Sequence, residues 1–94
     1  MPKYIIERNI PGVGSLSPEE LQSISARSCS IIRNLQQPVQ WLESFVTADK
    51  LYCVYIANDE ASVRLHAAQG NFPVDRVSQV LNVIDPTTAE KDGR

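Results

Sequence analysis

Several things are scarce in these 94 residues, and each scarcity removes a class of function. Lysine and arginine number 9 against 11 acidic residues, for a net charge of −2, and no basic stripe occurs anywhere. Nucleic acid is therefore not an expected partner, because phosphate neutralisation needs clustered cations. No apolar run approaches the roughly 18 residues that span a bilayer. Met1-Pro2-Lys3-Tyr4 leads straight into strand-like sequence with no signal-peptide pattern. A cytoplasmic location without membrane contact is expected. The two cysteines, Cys29 and Cys53, lack C-x-x-C spacing, which argues against a disulfide framework. Histidine occurs once, at His66. With one imidazole and no cysteine pair, one chain cannot build a His-rich or thiolate metal site alone.

What is present is an ordinary globular mixture, 43% hydrophobic and 21% charged, at a length that suits one domain. Lys3 to Arg8 is aromatic and β-branched and reads as a first strand. Ser17-Pro18-Glu19-Glu20 carries a capping box with proline at the first helical position. The helix it opens runs to about Leu35, with Leu21, Ile24, Ser28, Ile31, Ile32 and Leu35 in one stripe. Val39 to Thr47 and Leu51 to Ala57 read as strands joined by a short hairpin loop. Asn58 or Asp59 caps a second helix, and Gly70 suits its left-handed stop. Val77 to Ile84 supplies a fourth strand. Residues 1–85 form the expected domain and 86–94 a polar tail.

The order βαββαβ predicts an α+β, ferredoxin-like fold: a four-stranded antiparallel sheet with two helices on one face. In the second and third strands both alternating sets are substantially apolar or aromatic, whereas a half-solvated sheet alternates cleanly. A bare face bearing Trp41, Phe45 and Tyr55 would be a large exposed patch. A second copy of the chain is the expected cover, docked on the face that carries Trp41, Glu43, Phe45 and Tyr55.

Gly12-Val13-Gly14-Ser15-Leu16-Ser17 partly matches a dinucleotide fingerprint, but that motif needs a parallel βαβ unit and an acidic end to its second strand. Here the second strand enters a hairpin at Thr47, so the segment reads as a loop. Cys29 and Cys53 read as small semi-buried side chains and not as nucleophiles. His66 shares a polar ribbon of the second helix with Ser62 and Gln69. It reads either as a solvated histidine or as a metal ligand. A further reading places a small organic molecule in a pocket between the sheets of a dimer. Trp41, Phe45 and Tyr55 would be its walls, with Glu43, Cys53 and Glu7 as polar groups. A carboxylate held among aromatics there would act as a general base.

Asp49-Lys50-Leu51-Tyr52-Cys53-Val54-Tyr55, Val63-Arg64-Leu65-His66-Ala67, Gly70-Asn71-Phe72-Pro73-Val74-Asp75-Arg76-Val77 and the closing Val83-Ile84-Asp85-Pro86-Thr87-Thr88 together resemble a known group. It is the family of small bacterial ferredoxin-like nickel-binding proteins, long catalogued as a domain of unknown function. The resemblance spans about residues 3–88. It implies a homodimer built through the sheets, similar to dimeric α/β-barrel proteins, and nickel, with zinc or copper as competitors, as the bound ion. It also implies His66, Cys53 and Tyr52 as candidate metal positions, in a binding or homeostasis role and not in catalysis.

Overall fold

The computed structural model describes residues 1–90. The first strand, β1 (Lys3–Asn9), leads through a loop with one 3-10 turn (Val13–Ser15) into α1 (Pro18–Asn34). The predicted capping box opens that helix. Ser17 Oγ accepts from the backbone of Glu20 at 3.1 Å, and the Glu20 carboxylate accepts from the backbone of Ser17 at 3.0 Å. The chain continues through β2 (Val39–Val46), β3 (Lys50–Ala57), α2 (Glu60–Gly70) and β4 (Arg76–Val80). A 3-10 turn at Pro86–Ala89 is capped by Asp85 and forms the start of the expected tail. Residues 91–94 of that tail lie outside the described residues.

The sheet order is β2-β3-β1-β4 with every neighbouring pair antiparallel. This is the split βαβ topology that the element order predicts, so the fold is α+β and ferredoxin-like. Strict alternation in β1 and β3 sends Tyr4, Ile6, Arg8, Leu51, Cys53, Tyr55 and Ala57 to the helix-covered face, where all are buried. Val63 of α2 and the half-buried Ile32 and Leu35 of α1 close over them. Complete burial of Ile6 and Val63 contributes about 1.5–3 kcal/mol apiece.

The β2 strand breaks the alternation. A β-bulge between Trp41 and Glu43 leaves Leu42 without a partner. Trp41 pairs with Tyr55 and faces the helices, whereas Glu43 pairs with Val54 and faces away with Phe45. The expectation that Trp41, Glu43, Phe45 and Tyr55 share one bare face is therefore corrected. The outer face instead carries Ile5 and Phe45, exposed, beside half-buried Tyr52, Val54 and Ile56.

Two boundaries also move. The fourth strand ends at Val80 and not at Ile84, because Val80 pairs with Lys3, the first residue of β1, and no strand remains beyond it. Leu81, Val83 and Ile84 are left exposed. The left-handed stop of α2 falls on Asn71 (φ 55) and not on Gly70. Gly70 is the last helical residue, and a Cβ there would run into the Phe72 ring and come within 2.9 Å of Ile31 Cδ1. The glycine is needed for close approach and not for backbone conformation.

The loop after β1 is held by the β2–β3 hairpin. Gly14 N donates to Ala48 O at 3.0 Å, and Gly12 N donates to Asp49 Oδ1 at 2.9 Å. A Cβ on Gly14 would lie 2.8 Å from Thr47 O, so this glycine lets two backbones touch.

Candidate functional site

The interior chemistry gathers where β1, β3, α1 and the start of the α2–β4 loop meet. Arg8 follows Tyr4 and Ile6 on the inward side of β1 and is only 2% exposed. Its guanidinium donates through Nη1 to Pro73 O at 2.6 Å and through Nη2 to the Tyr55 hydroxyl at 3.2 Å. Its Cζ lies 5.5 Å from the centre of the Phe72 ring. Arg27 of α1 sits against the same ring at 4.7 Å. Among the described residues the ion pairs are Lys50–Glu7 and Arg64–Glu60, so Arg8 is a buried cation with no carboxylate beside it.

His66 is fully buried, which overturns its expected place on a solvated ribbon. The α2 helix buries Ser62, Val63, His66, Ala67 and Gly70, a face on which polar and small residues replace the usual aliphatic ones. His66 Nε2 and Ser28 Oγ share a hydrogen bond at 3.1 Å, which ties α2 to α1. The imidazole is tilted against Tyr55 and Phe72, with centroids at 5.3 and 5.6 Å. Burial and the Arg8 charge hold the His66 pKa below its ordinary value, opposed by the Ser28 hydrogen bond. Burial, with Cys53 adding to it, pushes the Tyr55 phenol up to about 12 against the opposing pull of Arg8.

A cavity of about 180 Å³ opens beside this cluster. Arg8, Arg27, Ser28, Trp41, Tyr55 and Phe72 contribute to its walls, and the remainder is mostly aliphatic. Trp41 and Tyr55, two of the three expected walls of a pocket between two sheets, thus line a cavity under α1 within one chain, while Phe45 stands on the outer face. Trp41 Nε1 donates to Ser44 Oγ at 2.9 Å across the bulge. Glu43 is exposed on the opposite side of the sheet, so it is not the enclosed carboxylate that the general-base reading requires. Glu7 also faces outward, paired with Lys50 at 2.6 Å.

The expected metal positions separate in the same way. Cys53 and His66 lie in the helix-facing layer, both buried. Tyr52, one residue from Cys53 in a strand, projects to the outer face opposite Phe45. His66 Nδ1 is a buried atom without a hydrogen-bond partner, and it offers a lone pair to an ion in the tautomer whose Nε2–H donates to Ser28 Oγ. Around it stand a guanidinium, two aromatic rings and a hydroxyl. No group of three His, Cys, Asp or Glu side chains gathers among the described residues. A nickel ion needs several donors, and one chain's interior supplies too few. The interior therefore does not fit a closed metal site.

Ser28 and His66 have the spacing of a nucleophile and its base, but the pattern needs a third group to orient the imidazole. Nδ1 meets none, and the serine is 5% exposed. Sequence reasoning missed Arg8 and Phe72 as site residues. Arg8 carried a usable signal, since it continues the inward alternation of Tyr4 and Ile6. Ser28 carried one as well, as the sole polar member of the α1 stripe.

The topology and the helix-covered sheet define a small ferredoxin-like α+β domain. A family model described as nickel responsive protein SCO4226-like matches residues 4–80, and the chain belongs to that family. The crystal structure of SCO4226 from Streptomyces coelicolor A3(2) is similar in fold, with a TM-score of 0.73 at 10% identity. The match covers 87% of this chain and 99% of that one. No curated protein matches the sequence. Among the described residues no helix is long and apolar enough to cross a membrane.

Proposed function

We propose that the chain takes part in nickel handling as a binding protein and not as a catalyst. The observation that carries this reading is the nickel-responsive family model over residues 4–80. The interior limits how an ion is held. A buried guanidinium repels a divalent cation, and the single imidazole beside it has few companion donors. Nickel is accordingly bound outside one chain's interior, by exposed oxygen donors or by groups that a second copy completes.

One observation favours an alternative. The unpartnered Nδ1 of His66 leaves one donor for an ion that enters the helix-facing layer, in which Cys53 is also buried, with the remaining positions to be filled from outside one chain.

Calorimetric titration of nickel, zinc and copper into the wild type and His66→Gln separates the two readings. Nickel binding that is equal in both proteins, and tighter than that of zinc, supports the first. Binding of one ion per chain that the substitution abolishes transfers the site to His66. No heat with nickel at micromolar metal removes direct nickel binding.

A further inference from the structure

We propose that the cavity beneath α1 is a binding site for a small organic carboxylate, with Arg8 as the group that holds its charge. Four observations converge on this assignment.

Arg8 is a permanent cation, 2% exposed, and among the described residues it has no acidic partner. Buried charges are ordinarily paired, because an isolated one is costly to desolvate. Its two hydrogen bonds, to Pro73 O and the Tyr55 hydroxyl, are both to neutral groups and occupy two of the five donors of the fork.

The cavity adjoins that fork, and none of the residues lining it is acidic. Arg27, which also contributes to the wall, packs against the same Phe72 ring as Arg8 and adds a second positive charge. Low-dielectric walls strengthen the attraction of an anion to these groups.

The remaining walls are apolar, including Ile10, Val13, Leu21 and Ile24. They suit a hydrocarbon body better than a bare inorganic anion, which would need many more donors. A cavity of about 150 Å³ is enough for benzene, so about 180 Å³ suits a molecule the size of a benzoate or a short branched carboxylate. Such an anion can accept two parallel hydrogen bonds from one guanidinium.

The packing of α1 explains why the space exists. Its inward stripe is only half-buried at Leu21, Ile24, Ile31 and Ile32, and the one fully buried member is the small Ser28. The helix bridges the sheet without filling the space below it.

The site does not depend on nickel, so it is tested on metal-free protein. Sodium benzoate, benzyl alcohol and inorganic phosphate are titrated separately, read by the fluorescence of Trp41, the sole tryptophan and a wall residue, and by the thermal midpoint. Benzoate is expected to bind at least about tenfold tighter than benzyl alcohol, equivalent to ~1.4 kcal/mol, and phosphate is expected not to bind. Arg8→Met should erase the preference for the carboxylate while benzyl alcohol still binds. Ile24→Trp, read by the thermal midpoint because it adds a second tryptophan, fills the cavity from α1, leaves Arg8 in place and should abolish both, which keeps the test decisive if the Arg8 variant does not fold. Equal binding of benzoate and benzyl alcohol, undiminished benzoate binding in Ile24→Trp, phosphate binding as tight as benzoate, or no benzoate binding at millimolar concentration overturns the proposal.

Discussion

His66 Nε2 lies 3.1 Å from Ser28 Oγ, and this hydrogen bond joins the two helices across the layer that covers the sheet. It engages a neutral imidazole in a place where charge is unwelcome, since burial and Arg8 both hold the pKa below the ordinary 6.5. The group binds fewer protons folded than unfolded, so its contribution is fully present above pH 6.5 and is lost as pH falls through the lowered folded value. Thermal midpoints of the wild type and His66→Gln should keep a constant difference above pH 6.5. Below it the wild type should lose stability faster. A difference that does not change with pH would show that the imidazole can charge freely in place.

Tyr55 makes the opposite prediction at high pH. Its phenol is raised to about 12, so the folded protein holds that proton where the unfolded chain has released it. Stability should fall as pH rises from 10 towards 12. Tyr55→Phe should remove that component, read as a shallower alkaline decline in chemical denaturation.

Gly70→Ala tests the close packing of the α2 terminus. Helix propensity alone would gain about 1 kcal/mol. The added methyl would meet the Phe72 ring and Ile31, and overpacking of this kind costs about 1–3 kcal/mol. A net loss of stability in urea is expected, and a net gain would show that Phe72 moves aside freely.

The outer sheet face bears Ile5 and Phe45, exposed, next to Tyr52, Val54 and Ile56, a patch that a second copy can cover. Light scattering at micromolar concentration is expected to give a dimer, and Phe45→Lys a shift towards monomer. Each buried Phe45 would contribute about 1.5–3 kcal/mol to that association. A monomeric wild type would refute it.

Much of the fold was legible because its signals are local. Ser17, Pro18 and Glu20 mark the start of α1 within four residues, and the aromatic and β-branched runs mark the strands. The site was legible only in part, because its geometry is set by tertiary contacts. An unpaired Leu42 reverses the faces of everything after it in β2, and no residue type announces a bulge. His66 looked solvated because its neighbours Ser62 and Gln69 are polar, yet Ser62 is buried and Gln69 is not. Asp59 explains the first: its carboxylate caps α2 by accepting from Ser62 N at 2.9 Å and also accepts from the Ser62 hydroxyl at 2.8 Å, so the serine can be enclosed. Arg8 drew no reading of its own beyond the first strand, because its partner, the backbone carbonyl of Pro73, lies 65 positions along the chain.

The bulge also bears on how this strand can change length over evolutionary time. In a regular strand, loss of one residue turns every later side chain to the other face. Trp41 and Glu43 already oppose consecutive residues of β3, so removal of Leu42 would join them in the register they now hold. Ser44 would still face the interior and Phe45 the exterior. Position 42 is thus a place where relatives can differ by one residue and keep the same inner wall.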